Sequence, residues 1–333
     1  MQTTAIYIQN LCVPCGCHCR YCLLSWDGHL RGIDYERSAA YAKRFHDWLR
    51  EHRPDLDFQF YFGYSMEHPR LPEAIDFLQS LGSVGGEFLQ FDGMRMRTTE
   101  EIRALLAMLQ DHGIRLIDLT FYGAREYHDR FAGRTGDFDY MISILRIANE
   151  IGLPVEIDIP LTHENAGQLD GLLEEFSAYS LHRLFCFIPH GEGRGRTLEP
   201  VRFTSRDYAR LSDNAKAHLN GSRFKPEREW VAHGTFPPYE KRVVVLSLTP
   251  DNIDRIEAMP CEKVISWLEQ MDEDYYQVIP SLEELVKLYG DPTGEKFYSE
   301  RDLYLKYQRR YMEEHHLDVY DIHDERQCFS RRF

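Results

Sequence analysis

Six short apolar runs, at residues 3–9, 56–62, 87–91, 116–122, 154–159 and 183–188, read as buried strands. Between them lie five stretches at helical spacing, 34–51, 72–81, 99–112, 138–150 and 165–179. Ala39, Ala40, Ala42, Phe45 and Trp48 mark the first of these, and Gly82 and Gly152 stop the second and the fourth. Strands that alternate with helices in this way make parallel β/α units. Residues 1–212 therefore fit a six-unit α/β partial barrel. In such barrels the chemistry sits at the carboxyl ends of the strands.

The loop after the first strand is the most reactive stretch of the chain. It reads Cys12-Val-Pro-Cys15-Gly-Cys17-His-Cys19-Arg-Tyr-Cys22, five of the eight cysteines within eleven residues. Thiols this crowded cannot all pair as disulfides. Soft thiolates suit zinc or an iron–sulfur cluster. A zinc loop would use two knuckles, Cys12-x2-Cys15 and Cys19-x2-Cys22. Only Gly16, Cys17 and His18 separate them, far less than in ordinary zinc ribbons. The other reading takes Cys15, Cys19 and Cys22, spaced C-x3-C-x2-C, as three ligands that leave one position open. Cys12 and Cys17 are then surplus.

With Tyr21 before the last cysteine, C-x3-C-x-aromatic-C after a first strand resembles the signature of the radical S-adenosylmethionine (SAM) enzymes. The nearest branch is that of the molybdenum-cofactor cyclase and the peptide maturases. The resemblance implies a partial (β/α)6 radical SAM barrel. It implies a [4Fe–4S] cluster on Cys15, Cys19 and Cys22, with SAM on the fourth iron. One electron, from a donor such as flavodoxin or ferredoxin, would split SAM to a 5′-deoxyadenosyl radical that takes hydrogen from substrate. Tyr21 would pack near the adenine.

Relatives carry a Gly-Gly-Glu-Pro-like segment after strand two, which receives the SAM amino group. Gly85-Gly86-Glu87 matches it literally but precedes strand three, where a turn is expected. The match by position is residues 63–69, and Gly63 stands 41 positions after Cys22. The glycine pair is lost there, and Gly63, Ser65 and Glu67 are the candidates. Asp92, at the end of strand three, either faces the barrel interior or forms an ordinary Asp-Gly turn. Thr120 and Tyr122 end strand four, facing inward near SAM or substrate. His128 is as well suited to packing a helix as to binding. Glu156 and Asp158 share one face of strand five. A buried pair of carboxylates is costly unless something binds it, so Asp158 is assigned to the SAM ribose or a substrate amine. After strand six, residues 188–196 are similar to the relatives' Pro-x-Gly-x-Gly-Arg segment, with Ile188 and Arg194 as SAM contacts. Arg194 or Arg196 could hold a carboxylate by a bidentate pair.

Residues 213–333 break the alternation. A strand at 241–248 and helices at 251–259, 261–270, 281–289 and 299–315 give a mostly helical extension, expected to cover the substrate opening. Cys186, Cys261 and Cys328 are too few and scattered for an auxiliary-cluster domain. A net charge of −15 argues against a broad nucleic-acid surface. No apolar run reaches a membrane span and no signal peptide is visible, so a cytoplasmic protein with reduced cysteines is expected. The first strand starts almost at Met1, so no leader-binding domain is expected ahead of the barrel. That tilts the expected substrate slightly towards a small molecule, or a peptide held by the extension, with nucleic acid third.

Overall fold

The computed structural model describes residues 2–11, 15–22, 32–63, 66–236 and 241–319. The first half runs β1 (Gln2–Leu11), α1 (Tyr35–His52), β2 (Asp57–Gly63), α2 (Leu71–Ser80), β3 (Phe88–Gln90), α3 (Thr99–Asp111), β4 (Leu116–Thr120), α4 (Arg125–Ala132), α5 (Asp137–Ile151), β5 (Val155–Pro160), α6 (Leu169–Phe176) and β6 (Arg183–Phe187). The second half runs α7 (Ser205–Arg210), α8 (Asp213–Ala217), β7 (Phe224–Pro226), α9 (Glu227–His233), β8 (Lys241–Ser247), α10 (Ile253–Ala258), α11 (Cys261–Val278), α12 (Leu282–Tyr289), β9 (Phe297–Ser299) and α13 (Glu300–His315).

All six expected strands form, and each ladder among them is parallel. They divide into two sheets, ordered β2-β1-β8 and β3-β4-β5-β6. Where β2 meets β3, side chains replace the missing ladder. Ser83 Oγ accepts from Phe60 N at 3.0 Å, and Gln59 Oε1 accepts from Val84 N at 2.9 Å. Backbone donors at this junction are thereby satisfied without strand pairing.

The outer face of each sheet supplies a core. Ile6 and Ile8 of β1 and Phe58, Phe60 and Phe62 of β2 pack on Phe45 and Leu49 of α1. Alternation then turns Tyr7, Gln9, Gln59 and Tyr61 inward. A second core lies under β3 to β6, formed with α3, α5 and α6.

β8 comes from the extension, yet it pairs in parallel with β1 and adds a seventh strand to the barrel. Val244 and Leu246 join the core of Ile6 and Ile8. Arg242 meets Asp272 of α11 at 2.5 Å, both side chains buried, an ion pair whose breakage costs about 3–5 kcal/mol. The extension also reaches the loop after β6, where Arg309 of α13 donates to Gly191 O at 2.8 Å and to the buried Glu192 carboxylate.

Several helices depart from expectation, among them the short α7, α8 and α9, which were not anticipated. α4 was not anticipated. α11 continues to Val278, because Leu268, Asp272 and Tyr275 keep a buried face. The helix expected from 165 begins only at Leu169, after a 3-10 turn. Asn165 is buried, and its amide donates to Tyr122 O and Pro160 O, both at 2.7 Å. Among the described residues no helix is long and apolar enough to cross a membrane.

Candidate active site

The cysteine loop lies as a strap across the carboxyl ends of the barrel strands. Gly16 N donates to Gly93 O, just after β3, at 2.5 Å. His18 N and Arg20 N donate to Ala132 O and Phe131 O at the end of α4, at 2.7 and 3.0 Å. Arg194 N, after β6, donates to Cys22 O at 3.0 Å. Each such bond contributes about 1 kcal/mol net, so the path of the loop is set by several contacts and not by one. Beneath it, Tyr21 packs among the rings of Tyr122, Phe131, Phe187 and His190, with centroids 5.7 to 6.2 Å away.

Burial separates the four described cysteines of the loop. Cys15, Cys19 and Cys22 are half-buried, whereas Cys17 is 3% exposed. Cys17 Sγ points to Asp137 Oδ2 at 3.8 Å. The same carboxylate oxygen meets His128 Nε2 at 3.2 Å, and Arg134 Nε donates to Asp137 Oδ1 at 3.0 Å. Tyr122 N donates to His128 Nδ1 at 3.1 Å, so the ring proton sits on Nε2, facing Asp137. Burial alone would raise the Asp137 pKa. The hydrogen bond from His128 and the charge of Arg134 outweigh it and hold the carboxyl below its usual range. His128, fully buried, is thus a packing and bridging residue.

The three half-buried thiols suit a cluster. Among the described residues no three His, Cys, Asp or Glu side chains converge where one ion could bind. A [4Fe–4S] cluster needs a different arrangement, since each thiolate meets its own iron and the sulfurs stay apart. Gly93 leaves the room. It holds φ +70°, and a Cβ there would overlap Cys15 Sγ. Cys19 Sγ lies 3.1 Å from the Tyr122 hydroxyl. The hydrogen bond with Cys17, then burial, push the Cys15 thiol far above its ordinary pKa. Binding iron requires the thiolate, so metal and proton compete at this sulfur.

Below the strap the barrel interior is acidic. Parallel register sets Gln90, Asp118, Glu156 and Arg183 side by side in one layer, and Thr120, Asp158 and Phe185 in the next. Glu156 is balanced by Arg183 at 2.8 Å and His182 at 3.7 Å. Asp92 accepts from Thr120 N at 3.2 Å and Thr120 Oγ1 at 2.8 Å. Burial pushes Asp92 up to about 6 in spite of these bonds. Asp118 and Asp158 are raised further, by burial and then by neighbouring carboxylates, Asp158 foremost for Asp118 and Asp92 foremost for Asp158. Asp92 was read as inward-facing or as a turn residue, and Asp118 was not singled out. Its two-residue spacing from Thr120 was the available signal.

No family model matches the chain, and no curated protein is similar to it in sequence. Among solved structures it is similar to SuiB of Streptococcus suis bound to the precursor peptide SuiA, with a TM-score of 0.50 and 12% identity. The likeness covers 73% of this chain and 58% of SuiB, so the chain spans less than two thirds of that protein. SuiB is a radical SAM enzyme. The chain has the radical SAM fold. It is also similar to coproporphyrinogen III oxidase (HemN) of Escherichia coli, a radical SAM enzyme, at 12% identity and a TM-score of 0.44 over 93% of this chain and 91% of that one. At 12% identity the likeness to SuiB is one of fold.

On the radical SAM fold the expected contacts fall as follows. Gly63 closes β2, and a Cβ there would strike the Tyr61 ring. Ser65 lies outside the described residues, as do Cys12 and Cys328. Glu67 accepts from Arg95 N at 2.7 Å and from both Arg97 Nη1 and Nη2 at 2.9 Å, which ties the β2 end to the segment after Gly93. Gly85 and Gly86 belong to a 3-10 turn ahead of β3, in keeping with the turn reading. Thr120 is buried at the end of β4, and Ile188 is buried just after β6. Arg194 contacts the cysteine loop through its backbone, and among the described residues its guanidinium has no carboxylate partner.

Proposed function

We propose that this chain is a radical SAM enzyme that takes hydrogen from a small-molecule or peptide substrate. The observation that carries the reading is the C-x3-C-x2-C loop strapped across the carboxyl ends of a parallel barrel. Cys15, Cys19 and Cys22 would each hold one iron of a [4Fe–4S] cluster. When bound, the cluster supplies the electron that splits SAM, and the 5′-deoxyadenosyl radical abstracts hydrogen. The protein's part is to bind, orient and exclude. Tyr21 lies in an aromatic floor suited to adenine. Gly63, Ser65 and Glu67 would border the amino end of SAM. Thr120 and Asp158, adjacent on β4 and β5, suit the ribose. Ile188 and Arg194 suit the adenine side and the carboxylate.

Residues 1–212 would carry cluster and SAM, and 213–333 would cover the substrate opening, a division supported by the reach of Arg309 to the 188–196 loop. SuiB with its bound precursor peptide favours a peptide substrate. The electron would come from a flavodoxin- or ferredoxin-type donor, and a loop of reduced cysteines favours the cytoplasm.

Anaerobic reconstitution with iron and sulfide tests the assignment. We expect a brown protein with about four irons per chain. Serine at Cys15, Cys19 or Cys22 should abolish that loading, whereas serine at the buried Cys17 should keep it. A colourless protein holding one zinc per chain would overturn the reading.

A further inference from the structure

One acidic side chain in the barrel has no part in holding the cluster or SAM. Asp118 is 5% exposed, and among the described residues its Oδ1 has no hydrogen-bond partner. Asp158, within hydrogen-bonding reach on β5, also has an unpartnered Oδ1. Among the described residues neither carboxyl has a lysine or arginine partner, since Arg183 is engaged by Glu156. Leaving a buried polar atom unpaired costs about 1–3 kcal/mol, so a folded chain keeps one where something else satisfies it.

The facing wall says what that is. Tyr7 of β1 and Tyr61 of β2 point inward, yet they are 40% and 38% exposed. Their rings therefore border open space and not packed core. Asp92 acts electrostatically on the Tyr61 hydroxyl, so this ring lies near the acids. Carboxylates on one side and bare aromatic faces on the other are complementary to an organic cation. An anionic group would add to the charge these acids carry when ionised, and a neutral one would offset none of it.

We propose that the substrate of this enzyme carries a protonated amine or guanidinium, which enters the barrel below the cysteine loop and sits between Asp118, with Asp158 beside it, and the faces of Tyr7 and Tyr61. The inference rests on the radical SAM reading and adds the substrate's chemical class. The cation supplies the missing partner of Asp118 Oδ1. A lysine or arginine side chain of a peptide and a free alkylamine share this chemistry.

The test uses cluster-loaded protein saturated with SAM, so that SAM's own ammonium is already placed. Calorimetric titration with n-butylammonium and n-butylguanidinium should show binding, and n-butanol should show none. Asp118→Asn should weaken the cation by about tenfold or more, equivalent to about 1.4 kcal/mol. Tyr61→Leu, at an exposed ring, should weaken it by about threefold and serves if the first variant misfolds. A blocked Gly-Lys-Gly peptide that binds more tightly than n-butylammonium, against a norleucine control, points to a peptide source; equal or weaker binding points to a small amine. Cations that bind no better than n-butanol, or that SAM displaces, would overturn the proposal. Iron content and 5′-deoxyadenosine release, measured on the same samples, show separately whether the radical SAM reading stands.

Discussion

Gly93→Val should give a folded protein that takes up little iron. Gly93 adopts φ +70°, where a side chain costs about 1–2 kcal/mol. That alone is small against a domain stability of about 5–15 kcal/mol. The larger effect is steric. Any Cβ at this position overlaps Cys15 Sγ, and Gly93 O also holds Gly16 N. Cys15 cannot move without pulling on the backbone bond that sets the loop. Gly82→Val is the matched control, because Gly82 has φ +69° and nothing within 4 Å of an added Cβ. It should carry the same backbone strain and load iron normally. Iron per chain after reconstitution decides the matter. Equal loading of Gly93→Val and Gly82→Val would mean that the loop is not held as described.

Asp118→Asn should stabilise the cluster-free protein at pH 8 and leave it nearly unchanged at pH 5. Asp92, Asp118 and Asp158 have folded pKa values raised by burial, to about 6 for Asp92 and higher for the other two. Unfolded carboxyls titrate near 4. A group with a raised pKa binds its proton more tightly when folded. Its favourable contribution is present at low pH and is lost as pH climbs from about 4 through the folded values. Asparagine removes one ionisation from that set, and its amide can still donate to Asp158. The gain at pH 8 should be roughly 1–3 kcal/mol, the scale of an uncompensated buried polar group. Thermal melts at the two pH values check it. A variant less stable than wild type at both would show that Asp118 contributes to the fold and not to a ligand.

These effects could be only partly foreseen from the chain. The strands were readable because Ile6, Ile8, Phe58 and Phe60 alternate with residues that face the lumen. The cysteine loop was readable because its spacing is local. α4 was missed because Arg125, Glu126, His128, Asp129 and Arg130 make it polar, although Tyr127, His128 and Phe131 bury beneath the loop. β8 was placed in the extension because a Val-rich run signals burial without naming its partner; the partner turned out to be β1. Glu67 illustrates the same limit. Its position suggested a SAM contact, but its arginine partners lie 28 and 30 residues further on. Asp118 sits among Leu116, Ile117 and Leu119, a run that reads as core, and only strand register shows it facing other acids.

The central claim is that the strap of Cys15, Cys19 and Cys22 at the barrel mouth builds a SAM-cleaving centre. Its most direct test is to incubate cluster-loaded, chemically reduced protein with SAM under anaerobic conditions and quantify 5′-deoxyadenosine and methionine. The account predicts that both form in equal amounts, and that neither forms when Cys22 is replaced by serine. A fully loaded, reduced protein that leaves SAM intact would contradict it.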